Sequence, residues 1–206
     1  MACAWLCELT EGRPAIPPWL AGRIDATTWE VTIRLVRSGF VSPVTTSMGR
    51  LFDAVSALCG LRLEVRYEGQ AAIELECAAR QEAAENTGYP FPGLQAPDGP
   101  IVLDARETLR GVLADLAAGV SPRIVAQRFH VGVAGGTAAA CILQASRHGV
   151  DLVVLSGGVF QNVTLLERTA AVLAQAGLRV LVPSRLPPND GGISYGQAAI
   201  AAARGA

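Results

Sequence analysis

The stretch Val150-Asp151-Leu152-Val153-Val154-Leu155-Ser156-Gly157-Gly158, continued through Asn162 to Val182, decides the fold. Val150 to Leu155 reads as an apolar run, the mark of a strand buried on both faces. Ser156-Gly157-Gly158 turns the chain into a helix running from about Asn162 to Gln175. Gly177 ends that helix, and Arg179 to Val182 is the next strand. Strand, glycine turn, helix and strand make a βαβ unit. Its two strands are expected to pair in parallel, because such crossovers dominate consecutive connections of this kind. The class is α/β.

Upstream of this unit the pattern is helical. Pro122 suits a first helical turn, and a long helix follows to about His148. Gly132, Gly135 and Gly136 interrupt it, each costing about 1 kcal/mol relative to alanine. That cost goes with close packing against another backbone, or equally with a kink. Asp104 to Ala118 carries Leu109, Val112, Leu113 and Leu116 on one face. Thr87 to Pro100, with four prolines, reads as a loop. Residues 71–86 form an amphipathic helix, and Ser47 caps another from Gly49 to Leu58, stopped by Gly60. Thr27 to Val36 is a further helix, capped by Asp25, Thr27 or Thr28. Downstream, Pro183 to Gly192 is a loop and an alanine-rich helix runs to Ala203. Residues 1–30 read as an N-terminal arm or linker and residues 31–206 as a single lobe.

Composition narrows the function classes. Half of the 206 residues are apolar and only 17% are charged, which supplies a large core and disfavours disorder. A formal net charge of −1, with scattered arginines and no basic run, argues against general nucleic-acid binding. No stretch approaches about 18 uninterrupted apolar residues, so a membrane span is not expected. Met1 to Glu8 lacks the build of a signal peptide. Five cysteines in an odd, widely spaced set fit a reducing cytoplasm better than a disulfide scaffold. Cys3 and Cys7 have no second ligand pair nearby, and Cys59, Cys77 and Cys141 read as small core residues.

Three sites carry chemistry. Gly157 and Gly158, at the carboxyl end of a strand, let a ligand approach the backbone, and the following helix start can meet phosphate. A tight structural turn explains them equally well. Pro187-Pro188-Asn189-Asp190-Gly191-Gly192 holds one carboxylate on a stiff-entry loop, suited to a metal or to capping the last helix. Asp53 is an acid in a helix with apolar neighbours, either a ligand or a solvated surface group.

Several stretches together resemble the HypF family, the carbamoyltransferases of [NiFe]-hydrogenase maturation. They are Thr45 to Leu61 (TTSMGRLFDAVSALCGL), Tyr67 to Glu76 (YEGQAAIELE), Phe129-His130, Ser156 to Asn162 and Pro187 to Gln197. The resemblance implies an actin-like ATPase (ribonuclease H-like) lobe with βαβ units and several packed helices. It implies an enzyme that forms carbamoyl-adenylate from carbamoyl phosphate and ATP, then passes the carbamoyl group to the C-terminal cysteine of a maturation partner. By motif position, Asp53, Gly49 and Gly69 face the ribose. Gly157, Gly158 and Asn162 hold the phosphate and base side, and Asp190 ligates a divalent metal, iron or zinc.

The same resemblance places the remaining metal ligands, paired histidines, on an upstream lobe. This chain has only His130 and His148, and no Cys-x-x-Cys pair. It therefore reads as a fragment, a split subunit or a degenerate relative, with the upstream lobe of the same enzyme as its expected partner. The alternative is a noncatalytic nucleotide-binding or scaffolding module left by truncation.

Overall fold

The structure, a computed structural model, describes residues 1–10, 12–82, 86–95 and 99–205. The chain divides into two compact units, residues 1–133 and 134–206. This division does not coincide with the boundary expected near residue 30.

The first unit is mainly helical. It holds α1 (Ala2–Thr10), α2 (Ala26–Ser38), α3 (Met48–Leu58), α4 (Gln70–Ala79), α5 (Arg106–Ala117) and the first part of α6 (Pro122–His148). Residues 1–30, read from sequence as an arm or linker, carry α1, which packs on α2 and α3. Cys3, Leu6, Leu20 and Trp29 are buried there. Two indole N–H groups fasten the segment: Trp19 Nε1 donates to the Leu58 carbonyl at 2.8 Å, and Trp29 Nε1 to Pro14 at 2.9 Å. Asp25 caps α2, its carboxylate accepting from the Thr28 N–H at 2.6 Å.

Phe52 of α3 and Phe129 and His130 of α6 form the centre of this unit. The Phe52 ring meets Phe129 edge-on at 4.9 Å between centroids and His130 at 5.3 Å. His130 is fully buried, and its Nδ1 donates to the Ala126 carbonyl at 2.7 Å, fixing the ring against its own helix.

The proline-rich stretch is more ordered than its composition suggests. Gly93–Gln95 (β1) and Ile101–Leu103 (β2) pair antiparallel, with Leu94 opposite Val102. Pro97, one of the four prolines that suggested a loop, lies outside the described residues, as do residues 83–85 of the helix expected over 71–86. That helix ends at Ala79. Cys77, expected in the core, is exposed on α4, whereas Cys59 is buried as expected.

α6 runs unbroken through its glycines. Gly132 is there for close approach: a Cβ would overlap the Tyr89 carbonyl oxygen and lie 3.0 Å from the Tyr89 nitrogen. Among the described residues, α6 alone is long and apolar enough to cross a membrane by length and composition. Val125, Phe129, His130, Val133 and Ala138 are nevertheless buried within the fold, as in a core helix.

The second unit is the βαβ core. β3 (Leu152–Val154) and β4 (Arg179–Leu181) are parallel, with Val153 opposite Val180, and α7 (Val163–Gln175) connects them. Ala138, Leu155 and Leu173 form its buried centre, with Val153, Phe160 and Val180 packed against it. The expectation of a strand buried on both faces is not met. Val154 is 61% exposed and Leu152 is exposed beside it, while Val153 between them is half-buried. Asp151 breaks the apolar run, and alternate side chains point to opposite faces. Only the face toward α7 is packed. α8 (Ile193–Gly205) closes the chain and buries none of its residues.

Candidate nucleotide site

In the first unit, α3 and the loop Leu61–Gly69 enclose a cavity of about 580 Å³. Ser47, Arg50, Asp53, Val65, Arg66, Tyr67, Glu68 and Gly69 line it. Ser47 occupies the N-cap position of α3, but its hydroxyl makes no capping bond. Asp53 follows one and a half turns into the helix, and Arg50, three residues before it, pairs with it at 2.9 Å.

Asp53 is mostly buried, its side chain 16% exposed. Burial pushes its carboxyl above the ordinary value, Arg50 pulls it back, and nearby Glu68 pushes it up again. The balance stays upward. A buried acid that retains one arginine partner keeps acceptor capacity for a further hydroxyl. Gly49 stands on the same helix one turn before Asp53, half-buried and outside the cavity lining. Gly69 is on the lining, in the left-handed region at φ +81°, where the loop turns into α4.

The loop is held by a side chain that sequence reading passed over. Gln70 is buried, its Oε1 accepts from the Arg66 N–H at 2.7 Å, and its Nε2 donates to Glu74 Oε1 at 3.1 Å. Arg62 completes the set, with its Nε donating to Glu74 Oε2 at 2.8 Å. Bonds to Arg62 and Gln70 hold the Glu74 carboxyl below its usual range. Gln70 and Glu74 sit inside the quoted YEGQ stretch, where the adjacent Gly-Gln could have signalled a turn pinned from the next helix.

The remaining expected residues lie in the second unit. Gly157 has φ +96° and open space where a Cβ would stand, so the backbone there is approachable. A short 3-10 turn, Gly158–Gln161, precedes α7. Asn162 is buried and caps α7, its Oδ1 accepting from the Leu165 N–H at 2.8 Å. Its carbonyl oxygen is therefore committed to the helix. A Cβ on Gly158 would lie 3.9 Å from Asn189 Cβ, so the glycine turn and the Asp190 loop are neighbours. Asn189 makes the Asx turn of that loop, accepting from Gly191 N–H at 3.1 Å. Asn189 thereby caps the short 3-10 turn Asp190–Gly192 that leads into the last helix, and Asp190 is exposed. Beside them, Leu155, Phe160, Gln161, Leu166, Val182, Pro183 and Pro188 line a second cavity of about 380 Å³.

No group of three or more His, Cys, Asp or Glu side chains able to hold a metal occurs among the described residues. His148 is exposed at the end of α6, and His130 is buried on its own core face. Burial pushes the Cys3 thiol up to about 12, with neighbouring Cys7 adding to the rise, which disfavours a thiolate ligand at α1.

Residues 1–197 match the family described as the carbamoyltransferase, Kae1-like domain, second subdomain. The chain belongs to this family. It is 37% identical over 156 residues to the carbamoyltransferase HypF of Synechocystis, covering 76% of this chain and 19% of that protein. With the carbamoyltransferase HypF of Rhodobacter capsulatus it shares 38% identity over 172 residues, covering 83% of this chain and 21% of that protein. The chain thus spans about a fifth of the length of these curated relatives. Among solved structures, full-length HypF in its phosphate- and nucleotide-bound form superposes with a TM-score of 0.79. The match has 37% identity and covers 87% of this chain and 28% of that one. The α/β fold is that of the HypF Kae1-like domain.

Proposed function

We propose that this chain supplies the nucleotide-binding part of a carbamoyltransferase that forms carbamoyl-adenylate from carbamoyl phosphate and ATP. The carbamoyl group then passes to the C-terminal cysteine of a hydrogenase-maturation partner in the cytoplasm. The observation that carries this reading is the α3 cavity, in which a half-buried, arginine-paired Asp53 and the left-handed Gly69 line one wall of a space sized for part of a nucleotide. The similar HypF was captured with phosphate and nucleotide, which supports the same ligand class here.

In this reading Asp53 accepts a ribose hydroxyl and Gly69 lets the sugar approach the loop backbone, with Gly49 behind the same helix face. In the second unit, taken by itself, the Gly157-Gly158 turn offers its backbone to a phosphate group, with Asn162 holding the turn in place. Asp190 is the family-implied ligand for iron or zinc. One exposed carboxylate does not make a metal site, so the residues present do not fit a complete metal centre. No chemical step is assigned to a metal. The upstream lobe of the same enzyme is the proposed source of the missing ligands.

Calorimetric titration of ATP into wild type and Asp53→Asn tests the reading. Weak binding that falls about tenfold in the variant supports it, the loss expected for one charged hydrogen bond. Equal affinities in the two proteins remove Asp53 from the site.

A further inference from the structure

The loop that walls the α3 cavity is fastened by a side chain that does not line the cavity. Val65, Arg66, Tyr67, Glu68 and Gly69 face the space, whereas Gln70 and Glu74 of α4 stand outside its lining. Leu61 and Arg62 are tied to α3, their N–H groups donating to the Ser56 carbonyl at 3.0 and 3.5 Å. Over residues 63–68, every hydrogen bond to the backbone among the described residues is made by Gln70. Its Oε1 accepts from the Arg66 N–H at 2.7 Å, and its own N–H donates to the Tyr67 carbonyl at 3.4 Å.

Gln70 is only 7% exposed, and a neighbouring charge decides which way its amide points. Its Nε2 donates to Glu74 Oε1 at 3.1 Å, and Arg62 donates to the same carboxylate through Nε and Nη2. An ionised carboxylate only accepts, so it can face only the NH2 end of an amide. The amide oxygen is thereby left for Arg66. Reversing the amide would set two acceptors face to face and leave the Arg66 N–H without an acceptor.

We infer that Gln70 is the positioning residue of the cavity: with its amide oriented by Glu74, it holds residues 65–69 in the shape that a nucleotide meets. The inference rests on the nucleotide reading of the cavity and adds to it a pair of residues outside the lining. Affinity then depends on atoms that the ligand never reaches, because a wall that must be ordered on binding subtracts that ordering from the affinity.

The test compares the 206-residue chain with Gln70→Asn, with Gln70→Glu, and with Gln70→Glu combined with Glu74→Gln. Gln70→Asn keeps a neutral amide but is one methylene too short to reach both partners. Gln70→Glu sets two carboxylates against each other, and the combined variant restores a donor to that contact with amide and carboxylate exchanged. Hydrogen–deuterium exchange of the Arg66 amide reads the wall, and competition against a fluorescent ATP analogue reads the affinity. In both single variants the Arg66 amide should exchange about tenfold faster and ATP should bind about tenfold more weakly. The combined variant should return to within about threefold of wild type in both. Thermal melts identify a variant that does not fold, and if Gln70→Glu is lost, Gln70→Asn and the combined variant decide. Faster Arg66 exchange with unchanged ATP affinity overturns the inference and leaves the nucleotide reading standing. So does unchanged Arg66 exchange in Gln70→Asn, or a combined variant that regains Arg66 protection without regaining affinity. No ATP binding by wild type overturns both.

Discussion

Gly132 of α6 lies so close to Tyr89 that a Cβ there would sit 3.0 Å from the Tyr89 nitrogen and overlap its carbonyl oxygen. The approach is mutual. A Cβ on Gly88 would lie 2.6 Å from the Gly132 nitrogen, and one on Gly111 of α5 would lie 2.6 Å from the Tyr89 ring. Three glycines thus make a socket for one tyrosine, and backbone cannot yield as a flexible side chain would.

Gly132→Ala should therefore destabilise the chain, by about 1–3 kcal/mol, the usual cost of forcing atoms into a packed core. Gly135, three residues on, is exposed with nothing within 4 Å of a Cβ. Gly135→Ala should be neutral or stabilising by up to about 1 kcal/mol, the helix-propensity difference. Urea unfolding of both variants checks the contrast, and equal losses would contradict the socket.

This contrast also marks how far the sequence could be read. The α/β class, the β3–α7–β4 unit and the helix caps follow from local patterning: Asp25, Gly60 and Gly177 each act where their chemistry requires. The two readings of Gly132, close packing or a kink, could not be separated, because only the partner's position decides and Tyr89 is distant in sequence. The β1–β2 pairing was hidden by prolines. The exposed outer face of β3 was hidden because a run of valines and leucines states hydrophobicity, not how many faces are covered. Asp53 and Gly69, singled out by motif resemblance, both line the α3 cavity. Glu68, Arg66 and the Gln70 anchor became visible only once the loop was folded onto α4.

The upward displacement of Asp53 sets a stability cost opposed to ligand binding. Burial favours the protonated form in the folded chain, so the group's contribution is most favourable below the ordinary carboxylate pKa of 3.8. It declines as pH rises through the higher folded value. Asp53→Asn removes that decline. The variant should melt higher than wild type near neutral pH, and the gap should narrow as pH falls toward 3.8. Thermal melts across that range, read beside ATP affinity, check the opposition. A variant that melts lower at pH 7 would show Asp53 to be structural.

Asp115, bonded to Tyr89 and Arg128, is displaced in the opposite direction. Tyr89 Oη donates to Asp115 Oδ2 at 2.6 Å and Arg128 Nη1 donates to the same oxygen at 2.8 Å. Burial pulls the Asp115 carboxyl upward, but these two donors outweigh it and hold it below 3.8. Its stabilisation is complete above that value and is lost as pH falls through the lower folded value. Tyr89 is pushed above its ordinary value of 10.0, first by burial and then by Asp115, so its contribution is lost as pH rises beyond that value. Tyr89→Phe should cost about 1.5–3 kcal/mol at neutral pH, the range for a hydrogen bond to a charged group. It should also remove the alkaline loss. Chemical denaturation at pH 7 and pH 10.5 distinguishes this from simple loss of packing, which would be the same at both.

The last prediction concerns metal. Asp190 is exposed on its loop, its neighbour Asn189 has taken the turn-forming bond, and no further ligand cluster stands beside it among the described residues. A tight zinc site needs about four ligands, of which the protein usually supplies at least three. The chain as given should therefore purify without stoichiometric iron or zinc, and it should not cleave ATP in a carbamoyl-phosphate-dependent assay. The proposed remaining ligands are neutral histidines presented by the upstream lobe of a HypF-type enzyme. Supplying that lobe, in trans or as a fusion, should bring both bound metal and activity. Asp190→Ala in the combined protein should lose metal by about 10-fold or more in affinity, while Asn189→Ala, which disturbs the turn but removes no carboxylate, should lose less. Elemental analysis and the ATP-cleavage assay read the two effects separately. Stoichiometric metal in the 206-residue chain, or metal retained at wild-type affinity in Asp190→Ala, would remove Asp190 from the proposed centre.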